Sequence, residues 1–167
     1  MINDILAAIM SRLNTSDPNL KYIDEDWGQL DYYDGQNPVK FPCLLLELQQ
    51  VTWKNQSQKV QDGEMLISLR IADMRLSNSN QKAPSNQRNA TYAIWLILEN
   101  IHKALHGWRP EQIPQFGALT RISSNKVKRD DGIREFVIVY STLCSDSSAM
   151  NQGYSHAVPE VTPGLLK

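Results

Sequence analysis

The sequence predicts an α+β domain in which two helices pack on one face of an antiparallel sheet of about four strands, in the order α-β-β-α-β-β. Two segments place apolar residues at the three-and-four spacing of a helix, and four others have the lengths and patterns of strands. Of the 167 residues, 41% are hydrophobic and 21% are charged, as in soluble globular domains. We expect one domain over residues 1–146 and a flexible tail over residues 147–167.

The first helix is predicted at the N-terminus, where apolar residues form one continuous stripe. They are Ile2, Ile5, Leu6, Ile9, Met10 and Leu13. Pro18 disfavours helical geometry at Asp17, so the helix should end there. Residues 19–40 are acidic and aromatic, and we interpret them as a long connection with a short strand around Gln29 to Tyr33.

The first hairpin is predicted over residues 43–73. Leu44, Leu46 and Leu48 share one face of its first strand by the period of two. In its second strand four apolar residues point one way, and Ser68, Arg70 and Ala72 point the other. The four are Met65, Ile67, Leu69 and Ile71. Residues 77–89, rich in Ser, Asn and Gln, should then form a mobile loop.

The second helix is predicted from Asn89, a plausible N-cap, to Gly107 in left-handed geometry. Its apolar stripe is Ile94, Ile97, Leu98, Ile101, Ala104, Leu105 and Trp108. Tyr92, Trp95 and Leu96 fall on the opposite side at 100° per residue. Because one sheet covers only one side of a helix, we expect these three residues to contact another subunit.

The second hairpin is predicted from about Phe116 to Val127 and from Ile133 to Ser145. Asp131-Gly132 in its connection is a strong hairpin signal. Apolar residues occupy both faces of the last strand, so that strand should lie inside the sheet.

The charge is unevenly distributed, although the formal net charge is only −1. Residues 1–64 hold ten acidic and five basic side chains, about −5, and residues 65–167 hold eight acidic and twelve basic ones, about +4. Polarised surfaces of this kind can orient subunits against one another. The candidate channel or docking charges, suited to phosphate contact without base readout, are Arg70, Arg121, Lys126, Lys128, Arg129 and Arg134.

The sequence predicts no catalytic, cofactor or metal site. His102 and His106 have a spacing that can bind zinc, but Lys103 stands where a zinc protease has its glutamate, so we interpret them as surface histidines. Asp24, Asp26 and Gly28 resemble the start of a calcium loop, with glycine at a ligand position. A glycine-flanked serine elbow and a glycine-rich phosphate loop are both absent from the sequence. Two cysteines make no disulfide framework and should be buried thiols.

The element order and three motifs resemble the tail terminator proteins of long-tailed bacteriophages and prophages. The motifs are the proline-led strand at 42–48, the helix end Leu105-His106-Gly107-Trp108, and Phe116-Gly117-Ala118-Leu119 before a strand. The resemblance covers residues 1–146. It implies a ring, typically hexameric, that caps the tail tube, stops its growth and joins it to the head while DNA passes through. The implied partners are other copies of the chain, the tail-tube protein and the head-tail connector.

Two alternatives remain open from the sequence. The chain could be another phage head-tail connector or tail-tube subunit, or a small-molecule enzyme with a pocket between the second helix and the sheet. No apolar run reaches the roughly 20 residues that cross a bilayer, and the N-terminus does not have the pattern of a secretory signal. We therefore expect a cytosolic chain with no membrane contact. The resemblance implies assembly in the cytoplasm of a bacterial host and a final place in the virion tail or a prophage-derived particle.

Overall fold

The computed structural model describes residues 1–31, 39–57, 59–74 and 78–150. These residues fold into a five-stranded mixed sheet with two helices on one face. The helices are α1 (Ile2–Ser16) and α2 (Ser85–Leu105). The strands are β1 (Tyr22–Glu25), β2 (Cys43–Ser57), β3 (Val60–Met74), β4 (Thr120–Val127) and β5 (Ile133–Asp146). They lie in the order β1-β2-β3-β5-β4, and only β1 with β2 is a parallel pair.

The main core lies between the helices and one face of the sheet, which we call the helix face. Cross-strand register places apolar residues side by side there: Leu46 opposite Leu69, and Leu69 opposite Ile138. The helices contribute further buried apolar residues to the same core, which are Ile5, Leu6, Ile9 and Leu13 from α1 and Ile97, Ile101, Ala104 and Leu105 from α2. The predicted strand alternation, the packing of both helices on one face and the inner position of β5 are therefore confirmed.

Contacts between the helices fix α2 relative to α1. Arg12 Nε donates to the Ala104 carbonyl oxygen at 3.3 Å, and its guanidinium lies 5.7 Å from the centroid of the Trp108 ring. Asn100 donates to the Asp17 carboxylate at 3.2 Å, and Asp17 is buried where α1 ends. Polar pairing between partly buried groups thus sets the spacing of the two helices.

The opposite face of the sheet is partly covered by the chain itself. Leu30, Val39, Cys43, Leu45, Ala72 and Ile133 form a second, smaller apolar cluster there. Cys43 and Cys144 are both buried free thiols, as expected, and burial raises the pKa of Cys43 to about 12. Leu30 and Val39, which precede β2, are therefore packed against the sheet.

The predicted four-stranded antiparallel sheet is wrong by one strand. The short strand lies at Tyr22–Glu25, parallel to β2, while residues 29–31 form a turn and 32–33 lie outside the described residues. Four residues are too few to show a period, and the parallel pairing depends on β2, which is distant in sequence. The observed order is α-β-β-β-α-β-β.

Two predicted boundaries are also wrong. Helix α2 starts at Ser85, four residues before Asn89, because Pro84 in extended geometry already leads the chain into the helix. Strand β4 starts at Thr120, and Phe116 makes only an isolated bridge to Cys144. Gly107 does adopt a left-handed φ of 78° after α2, as predicted. Of the predicted tail, residues 151–167 lie outside the described part of the chain.

The first hairpin depends on a close approach at Gly63. This residue lies within β3 opposite Trp53, and a Cβ on it would be 2.8 Å from the Trp53 ring and 2.9 Å from Cys144 Sγ. The absence of a side chain at Gly63 leaves room for the Trp53 ring beside the strand.

We predict that Gly63→Ala destabilises the fold by about 1–3 kcal/mol, because a methyl group has no room beside the indole ring. Urea unfolding measures the change, with Gln61→Ala on the same strand as the control. In a Trp53→Ala background the added penalty should shrink; an equal penalty with and without Trp53 would contradict the steric account.

Candidate interaction surface on helix α2 and strand β4

Large apolar side chains are exposed together on α2. Tyr92, Trp95 and Leu96 are 43%, 54% and 53% exposed, although the same helix buries six residues on its other side. Ile122 of β4 is also 54% exposed. We call Tyr92, Trp95 and Leu96 together with β4 the α2–β4 surface.

Trp95 is held in place despite its exposure. Its ring makes an edge-to-face contact with Phe136 of β5, with the centroids 5.0 Å apart and the planes at 65°. Nearby, Arg134 Nη1 donates to the Thr91 carbonyl oxygen at 2.6 Å and so ties the first half of α2 to β5. The exposed part of the indole is thus presented in a fixed position.

Strand β4 is an edge strand with little cover. Most of its residues are exposed, and a register shift between Arg121 and Ser123 interrupts its pairing with β5. Lys126 pairs with Phe136 and therefore lies on the helix face. Trp95 covers part of β5 on this face, and the neighbouring strand β4 is exposed to solvent over most of its length.

Two histidines continue the surface toward the end of α2. His106 Nδ1 accepts a hydrogen bond from the Arg121 backbone N–H at 3.2 Å, and the His102 and His106 rings lie 4.9 Å apart. Burial, followed by the charges of Arg121 and His106, lowers the pKa of His102, which favours its neutral form. Among the described residues, no group of three His, Cys, Asp or Glu side chains could hold a metal ion.

The structure divides the six predicted docking charges into two groups. Arg121, Lys126 and Lys128 are exposed at or beside β4. Arg70, Arg129 and Arg134 have side chains only 14–15% exposed and take part in ion pairs within the chain. The alternation of β3 correctly predicts that Arg70 points away from the helices. It does not predict the ion pairs of Arg70, because its acidic partners are distant in sequence.

Arg70 lies at the centre of an ion cluster on the face opposite the helices. Its Nε donates to Glu135 Oε1 at 2.7 Å, Nη1 to Asp26 Oδ2 at 3.0 Å and Nη2 to Asp31 Oδ1 at 2.7 Å. The side chains of Glu135 and Asp26 are 2% and 6% exposed. Burial acts to lower the pKa of Arg70, but the hydrogen bonds to Asp31 and Glu135 outweigh it, so this pKa is raised.

Arg129 extends this cluster to the hairpin between β4 and β5. It donates to Glu135 Oε2 at 2.7 Å and to the Leu30 carbonyl oxygen at 2.7 Å, and it also pairs with Asp131. Two arginines thus join the acidic connection to the sheet. Within that connection Asp26 is buried in its ion pair, whereas Asp31 is 51% exposed.

We predict that Arg70→Met destabilises the fold by about 3–5 kcal/mol, because it leaves Asp26 buried without its cation and leaves Glu135 paired with Arg129 alone. Urea unfolding measures the loss, and Lys54→Met on the exposed hairpin is the control. A change below about 1 kcal/mol would show that the cluster contributes little.

Stability should also fall at acid pH. Hydrogen bonds from Arg70 and Arg129 lower the pKa values of Asp31 and Asp131 below their ordinary 3.8. The unfolded chain therefore binds more protons than the folded chain below about pH 4, and the stabilisation present above this pH is lost as the pH falls further. The urea midpoint should drop between pH 5 and pH 3, and less so in Asp31→Asn. An identical drop in that variant would exclude Asp31 as a source.

Three described clefts lie away from the space between α2 and the sheet. The first, of about 570 Å³, lies beside the start of α1 and residues 112–115 and 145–148; the second, of about 310 Å³, lies between α1 and β1. The third, of about 240 Å³, is lined by residues near Gly117 and Leu143. In the described part of the chain, neither helix is both long and apolar enough to span a membrane.

Comparison with known proteins identifies no family. No family model matches the chain, and no curated protein matches it. Among solved structures, the chain is similar to a chain of the "Virion of native gene transfer agent (GTA) particle". The two share 10% sequence identity over 84% of this chain and 86% of that chain, with a TM-score of 0.45.

Proposed function

We propose that this chain is a non-enzymatic structural protein of a phage or prophage particle, which assembles with copies of itself through the α2–β4 surface. The observation that carries the proposal is the exposure of Tyr92, Trp95 and Leu96 on a helix whose other side is fully packed. Exposed aromatic residues grouped on one surface are typical of protein interfaces.

The contact of Trp95 with Phe136 supports an interface role. Because one edge of the indole is already held, little side-chain freedom remains to be lost when a partner covers the rest. Tryptophan residues of this kind often contribute most of the binding energy at an interface. Copies that bind head to tail, with the α2–β4 surface of one against a different surface of the next, can close into a ring.

The specific role we propose is that of a tail terminator: a ring, hexameric as is typical of that family, that caps the tail tube and joins it to the head-tail connector. The sequence motifs at 42–48, 105–108 and 116–119 support this role. The exposed Arg121, Lys126 and Lys128 suit contact with the phosphates of passing DNA or with acidic partners. Electron microscopy of the purified protein mixed with tail tubes tests it: rings at tube ends are expected, whereas labelling along the tube would favour a tube subunit.

We predict that Trp95→Asp weakens self-association by at least about tenfold while the chain remains folded, since the aspartate places a charge where apolar contact is needed. Analytical ultracentrifugation measures the association, and circular dichroism checks the fold. Leu143→Asp is the matched control, because Leu143 is 68% exposed on the opposite face of the sheet.

Two results would contradict this interpretation. If Trp95→Asp unfolds the chain, Trp95 is part of the core. If it assembles as the wild type does, the α2–β4 surface is not the contact between copies.

A further inference from the structure

We propose that the copies join through the two edges of the sheet, with β4 of one copy pairing with β1 of the next. This inference rests on the proposed self-assembly and names the partner of the α2–β4 surface: the β1 edge of a second copy.

The sheet presents its two edges at opposite ends. In the order β1-β2-β3-β5-β4, each end strand has one hydrogen-bonded neighbour among the described strands. Edge strands carry backbone N–H and C=O groups that can pair with another chain. In β1 the N–H and C=O of Glu25 bond to the side chains of Asp24 and Gln29, each at 2.9 Å, and the junction would replace these two bonds. Opposite edges of one sheet are the arrangement that head-to-tail assembly requires.

The charges of the two edges are complementary. Residues 120–128 contain Arg121, Lys126 and Lys128 and no acidic residue. Strand β1 contains Asp24 and Glu25 and no basic residue, Glu25 is exposed, and the exposed Lys21 precedes the strand. Asp26, which follows β1, is buried in its ion pair with Arg70 and adds no free charge to this edge. A copy of this chain therefore carries at one edge the charges that its other edge attracts.

Apolar groups accompany these charges on the same face. Beside β1, the cleft of about 310 Å³ between α1 and β1 is lined in part by Met10, Leu20 and Ile23. Ile23 pairs with Leu44, so this cleft opens on the helix face, as Trp95 does. If the sheet continues from β4 into β1 of the next copy, Trp95 and Leu96 face the α1–β1 cleft across the junction.

The strand directions agree with this junction. Strand β1 is parallel to β2, and each of the next three pairings in the sheet is antiparallel, so β4 runs opposite to β1. Copies related by rotation about an axis along the strands keep their strand directions. Strand β4 would then meet β1 of the neighbour in antiparallel register, with hydrogen bonds perpendicular to the strands.

Charge reversal with rescue tests the junction in the full-length protein by sedimentation velocity. Lys126→Glu and Glu25→Lys, each alone, should weaken assembly on the order of tenfold, because each brings like charges together. The double variant Lys126→Glu/Glu25→Lys should recover wild-type assembly, and so should a mixture of the two single variants. Lys54→Glu, on the exposed hairpin, is the control and should assemble normally.

The outcomes separate this inference from the proposed function. Wild-type assembly that neither single variant weakens, or that the double variant fails to restore, overturns the edge pairing and leaves self-assembly standing. A wild-type chain that stays monomeric at all concentrations overturns both.

Discussion

The α2–β4 surface exists because α1 and α2 do not cover β4, the edge strand of the sheet, on the helix face. Helix α2 buries Ile97, Ile101 and Leu105 in the main core, and the edge of Trp95 on its outer side contacts Phe136 of β5. Strand β4 beyond this contact is exposed over most of its length. The helices therefore cover the sheet as far as β5 but not β4. Exposed apolar and basic side chains lie where this cover ends.

The face of the sheet opposite the helices is partly covered by the chain itself. There the chain closes part of its own surface with the apolar cluster around Leu45 and with the ion cluster centred on Arg70. Arg70 joins three carboxylates at this point, two from the segment after β1 and one from β5, which fixes residues 26–31 against the sheet. The position of β1 at the free edge depends on that segment, so the ion cluster and the proposed junction are physically linked.

The alternation of Leu44, Leu46, Met65, Ile67 and Leu69 was sufficient to predict the central strands and their buried face. The exposure of Trp95 also followed from the helical period alone. Strand β1 could not be predicted, since its four residues pair with β2 across an intervening segment of nearly twenty. The roles of Arg70 and Arg129 were missed for the same reason: Asp26, Asp31 and Glu135 approach them only once the sheet has formed. Features set by the pattern of neighbouring residues could therefore be predicted, whereas contacts between residues distant in sequence could not.

Hydrogen exchange measured as a function of protein concentration tests most directly whether the α2–β4 surface is where copies meet. The account predicts that amides of residues 120–127 become protected as the protein assembles, together with those of residues 22–25, while the outer hairpin around residues 54–57 exchanges at an unchanged rate. Assembly that leaves exchange in residues 120–127 as fast as in the monomer would contradict it.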